Sequence, residues 1–162
     1  MLEIRDMWAA SAGAAACVAV LPTRDQLLLA LCGNYLDGPL CRQAHELVGL
    51  HRLRRQNPSC AADFDCRRSE IVASIDRWVI GTADRPRPSA SESSRSIGSL
   101  IDRMAAAAER AMRELLVSGP SSGRMHEAWT RLGELELAYS DLAAEVADGR
   151  RRLPGQPIEK SD

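Results

Sequence analysis

From Leu21 to Val146 the apolar residues return every three or four positions, the period at which one face of an α-helix recurs. Thr23 followed by Gln26 is a capping-box start, and LLLALC carries a short helix to the Gly33-Asn34 stop. Pro39 opens the next helix, in which Leu40, Ala44, Leu47, Val48 and His51 share a stripe and which ends near Gln56, before Asn57-Pro58. A third runs from Ala61 to Ile80 with Phe64, Arg68, Ile71, Ile75 and Trp78 on one side and Gly81 as its stop. Residues 82–94, TADRPRPSASESS, have almost no bulky apolar side chain and are expected to form a mobile connection.

Beyond that connection, Ser96 to Val117 should bury Ile97, Leu100, Ile101, Met104, Ala108, Ala111 and Leu115, up to the breaker run Ser118-Gly119-Pro120. The last helix, Gly123 to Gly149, places Met125, Ala128, Leu132, Leu135, Tyr139, Leu142 and Val146 in alternating steps of three and four. That heptad pattern predicts an antiparallel seam inside a bundle or a homodimer contact through 124–148. The fold class expected is all-α, an antiparallel bundle of four long helices plus one or two short N-terminal helices. In this scheme 1–20 is a flexible or loosely packed leader, 21–153 is one helical domain and 154–162 is a disordered tail.

Composition supports helix over strand, because Phe64 is the single phenylalanine and alanine and leucine dominate. A formal net charge of −1 gives no support to a nucleic-acid partner, although all but one of the 21 basic residues are arginine. The five cysteines form no CxxC pair, which reads as reduced thiols in a cytoplasm. Met7 to Leu21 is apolar, but Glu3 and Asp6 flank the lone Arg5 where an export signal needs a basic stretch, and the run is too short to span a membrane. No partner membrane and no cofactor are expected. There is no GxSxG elbow, phosphate-cradling glycine loop or HExxH, and the one Cys/His pair at helical spacing, Cys41 and His45, makes only half a metal site.

The informative residues are polar ones on apolar stripes. His51, Arg68 and the Asp102-Arg103 pair stand where a core is expected, and a polar group there must find a partner or destabilise the fold. A guanidinium keeps its charge, so Arg68 requires a carboxylate or a bound anion, with Asp65, Glu70, Asp76 and Asp102 as candidates. Were the centre catalytic, His51, Asp76 and Asp102 would be its acid–base and orienting groups, and Arg68 and Arg103 would hold a phosphate or carboxylate. Glu127, Glu134, Glu136, Asp141, Glu145 and Asp148 give the last helix an acidic, solvated face.

Four segments, LPTRDQLLLAL at 21–31, HELVGLHRLR at 45–54, RRSEIVASIDRWV at 67–79 and SIGSLIDRM at 96–104, resemble the bacterial domain-of-unknown-function family 4254, in its actinobacterial branch. HEAWTRLGELELAYSDLAAEV with the GRRRLP that follows is similar to that branch's closing segment. The resemblance implies a family polar centre built from His51, Arg68, Ile75-Asp76 and Asp102-Arg103, and implies no reaction. Two functions are thus weighed. A protein-interaction or assembly module would use the polar centre as internal glue, with no open pocket reaching it. An enzyme or small-anion binder would open a cleft among the helices at 39–56, 61–80 and 96–117.

Overall fold

The computed structural model describes residues 21–158, so the expected leader at 1–20 and the last residues of the tail lie outside the described residues. Five helices follow in order: α1 (Arg24–Leu31), α2 (Gly38–Gln56), α3 (Ala61–Thr82), α4 (Ile97–Ser118) and α5 (Gly123–Ala147). A 3₁₀ turn at Pro58–Cys60 joins α2 to α3. The all-α reading holds, with the residues that start and stop the helices doing so for local reasons. Thr23 and Gln26 cap each other's backbone at 3.2 and 2.9 Å, while the Ser96 and Ser122 hydroxyls each accept a backbone N–H three residues on at 3.1 Å. Gly119, at φ 81°, ends α4 in a conformation that suits glycine. Gly81 does not stop α3, which continues to Thr82, whose hydroxyl donates to the Trp78 carbonyl at 2.7 Å.

α4 is the central element and packs against α2, α3 and α5, while α1 bridges α2 and α5. Its alanines Ala105, Ala108 and Ala111 are buried, which lets neighbouring backbones approach. The closest approach is at Gly98, where a β-carbon would sit 2.5 Å from the Val72 carbonyl oxygen of α3. All seven heptad positions of α5 are buried, and the α4–α5 contact is the most extensive between any two elements, so the seam expected there lies within one chain. Tyr139, fully buried on that seam, donates its hydroxyl to the Pro22 carbonyl at 2.7 Å and fixes where the chain enters α1. Leu115 departs from expectation. It is exposed, because the α2–α3 pair ends level with Glu109, which Arg55 bonds, while α4 continues to Ser118.

Two short strands had no counterpart in the sequence reading. β1 (Ser91–Glu92) pairs in parallel with β2 (Arg151–Arg152). Backbone bonds from Arg87 N–H to the Gly149 carbonyl and from Ser93 N–H to the Arg152 carbonyl extend this tie to either side. The connection between α3 and α4 is thereby fastened to the segment after α5. Two-residue strands of serine, glutamate and arginine carry no alternating apolar signal.

Candidate functional site

The polar residues of α2, α3 and α4 meet at Asp102. α2 and α4 run parallel here and α3 antiparallel to both, which brings the second half of α2 level with the first halves of α3 and α4. His51 on α2 lies with Nε2 2.8 Å from Asp102 Oδ1 and 3.2 Å from the Asp102 carbonyl oxygen. Arg68 on α3 donates through Nε to Oδ1 at 3.1 Å and through Nη2 to Oδ2 at 2.7 Å, the two-pronged geometry that a planar guanidinium offers a carboxylate. Its remaining Nη1 donates to Asp65 at 2.6 Å, and Asp65 accepts a further bond from Arg54 Nε at 2.8 Å. The result is a chain of alternating charge, Arg54, Asp65, Arg68, Asp102, closed by an imidazole.

Burial pushes the Asp102 carboxyl up, but the bonds from His51 and Arg68 outweigh it and hold the group at about 2, so it is an anion at neutral pH. His51 Nε2 therefore carries the hydrogen and donates to it. Among the described residues nothing bonds to His51 Nδ1. The bond from Arg54 likewise holds Asp65 below the ordinary carboxylate range, and that from Asp102 holds Arg68 above its ordinary value.

An open groove of about 510 Å³ reaches this chain from the side of α3 and α4. Arg54, Asp65, Arg68, Asp76, Ser99 and Asp102 line it, and His51 does not. A fully closed centre was one of the two expectations, and at Arg68 and Asp102 the structure departs from it. A second, more apolar groove of about 410 Å³ between the ends of α3 and α5 shares no residue with the first and is bordered by Leu21.

The residues assembled at this centre lie on the same stretches that carried the resemblance, and from Ala61 to Pro154 the chain matches the family model described as "Protein of unknown function (DUF4254)". The chain belongs to DUF4254. Neither a search of curated proteins nor one of solved structures found a match. The DUF4254 match covers Arg68, Asp76, Asp102 and Arg103, and His51 on α2 reaches into it from outside.

Of the predicted site residues of this DUF4254 chain, His51, Arg68 and Asp102 come together and the other two do not join them. Asp76 accepts the Gly98 N–H at 2.7 Å, so it caps the start of α4 from the neighbouring helix. Arg103 is exposed, because one helical residue turns the side chain about 100° away from its neighbour Asp102. Glu70 pairs with Arg67 rather than Arg68. Cys41 is buried in the core while the exposed His45 lies over Gly33, and among the described residues no cluster of three or more metal-binding side chains forms.

A second ion pair escaped the sequence reading. Arg55 reaches Glu109 with two bonds of 3.1 and 2.9 Å, and Glu109 is buried. The signal was present in the spacing, since Arg55 follows His51 by four residues and Glu109 follows Asp102 by seven, which keeps each on the same face of its helix, one turn on in α2 and two in α4.

Proposed function

We propose that the chain is a protein-interaction or assembly module in which the His51–Asp102–Arg68 centre fixes the relative position of three helices rather than acting on a substrate. The supporting observation is that each of the three nitrogens of the Arg68 guanidinium donates to a carboxylate of the chain itself, Nε and Nη2 to Asp102 and Nη1 to Asp65. Two guanidiniums share the groove with three carboxylates, so its local charge does not favour an incoming phosphate or carboxylate. His51, the only imidazole of the centre, has no face on the groove. That no helix is long and apolar enough to cross a membrane, among the described residues, is compatible with such a module.

The rival reading, an enzyme or small-anion binder, is favoured by one feature: the groove itself, which leaves Arg68 and Asp102 open to solvent. Thermal-shift titration with inorganic phosphate, sugar phosphates, nucleotides and small organic acids separates the two. A ligand that binds in the groove stabilises the fold in proportion to the logarithm of its concentration. The expected result is no shift with any member of the panel. A saturable stabilisation that disappears in Arg68→Met would overturn the structural reading.

A further inference from the structure

Both α3 and α5 pack on α4, and between their C-terminal ends lies the apolar groove of about 410 Å³. Val79, Thr82 and Ala83 line one side of it and Ala143, Val146 and Ala147 the other. Of the charged residues at its edge, Arg24 and Asp25 pair with each other at 3.5 Å, and Asp84 is exposed. The Thr82 hydroxyl already bonds the Trp78 carbonyl. The groove therefore presents apolar surface with few polar demands, and an uncharged, apolar occupant suits it. The chain itself arrives there. Leu21 forms part of the lining and packs on the core, while the Pro22 carbonyl is held by Tyr139. Residues 7–20, which run up to Leu21, contain no charged side chain in a sequence that is 27% charged, and seven of these fourteen residues are alanine.

We propose that this groove is a docking site for the chain's own residues 17–20, with the Val18 and Val20 side chains taking its apolar floor and tying the ends of α3 and α5 together. The length of chain favours this segment over any other occupant. Cys17 stands four residues before Leu21, so residues 17–20 cannot stray more than about 14 Å from the edge of the groove. A tether that short sets an effective concentration on the order of millimolar or more, well above that of the same segment on a second copy in dilute solution. A groove of this volume buries a drug-sized ligand, which matches the few side chains next to Leu21 rather than all twenty residues before it. A strongly charged partner finds no complement on the lining. The inference goes beyond the reading of the polar centre and does not depend on it, because the two grooves share no residue.

Amide hydrogen exchange of the full chain, read by mass spectrometry, tests it. The expected result is that the amides of residues 17–20 exchange about tenfold or more slowly than in a free peptide of the same sequence, as burial of one valine side chain supports, and do so equally at every protein concentration. Ala143→Glu, which puts a carboxylate into the groove, should remove that protection with the helical signal unchanged. Leu137→Glu, which alters an exposed leucine midway along α5 and outside the groove, should leave it in place. In the other direction, Val18→Asp should speed exchange at Thr82 and Ala83. Should Ala143→Glu disturb the helical signal, Ala147→Glu at the exposed edge of the groove takes its place. Unprotected amides at 17–20 overturn the inference. So does protection that grows with protein concentration, which puts the segment in a second copy's groove, and so does protection that survives the groove substitution or is lost with Leu137→Glu, which puts it elsewhere on the chain. Each of those failures leaves the structural reading of Arg68 and Asp102 standing, since only ligand binding in their own groove removes that.

Discussion

Removing the Asp102 carboxylate should cost more than removing Arg68, and removing both should cost less than the two separately. Asp102→Ala leaves Arg68, 22% exposed, with Asp65 alone, and leaves His51 Nε2 without its carboxylate. Breaking a fully buried pair costs about 3–5 kcal/mol, and the partial exposure here lowers the expectation to about 2–3 kcal/mol. Arg68→Met leaves Asp102 its bond from His51 and should cost about 1–2 kcal/mol. The double variant should fall short of the sum by about 1 kcal/mol or more, as coupled neighbours do. Urea unfolding followed by circular dichroism at neutral pH measures all four corners of the cycle. Acid adds an independent reading. The folded-state value of Asp102 lies below its ordinary 3.8, at about 2, so its contribution is complete above pH 3.8 and is lost as the pH falls through about 2. The gap corresponds to about 2 kcal/mol, and Asp102→Asn should remove that part of the acid sensitivity. Additive single costs below about 0.5 kcal/mol, with an acid profile unchanged in Asp102→Asn, would refute the account of the centre as a coupled lock.

Two further predictions concern the packing around that centre. Gly98→Ala must push α3 from α4, because the new methyl meets a backbone carbonyl, and should destabilise by about 1–3 kcal/mol in thermal unfolding; a change within error would show that the helices separate freely there. Tyr139→Phe removes the only donor to the Pro22 carbonyl among the described residues and should cost about 1 kcal/mol, with faster amide exchange in α1 as its local signature.

The polar centre was legible because it violated a pattern. A histidine, an arginine and an aspartate on apolar stripes must satisfy one another, and helices that share a core bring such residues to one point. Arg103 was drawn in by adjacency in sequence, which on a helix means a different face. Glutamate on an alanine-rich helix resembles solvated surface, and only the seven-residue step from Asp102 marks Glu109 as lying on the same face. Periodicity places Leu115 on the core face, but it tells which face a residue occupies and not whether a neighbouring helix is long enough to cover it. The β1–β2 pair was invisible, since its cohesion comes from backbone bonds and from ion pairs such as Arg152 with Glu92 at 2.9 Å, formed between residues far apart in the chain.

That pair also bears on how the molecule keeps its own parts. The chain divides into an α1–α3 half and an α4–α5 hairpin joined by residues 83–96, a tether with enough slack for the hairpin of one molecule to dock on the helices of another. Stitching Ser91–Glu92 to Arg151–Arg152 takes up that slack from the far end of the hairpin, raising the effective concentration at which each hairpin meets its own α2 and α3. Exchange of hairpins between two molecules has to unpick the stitch first.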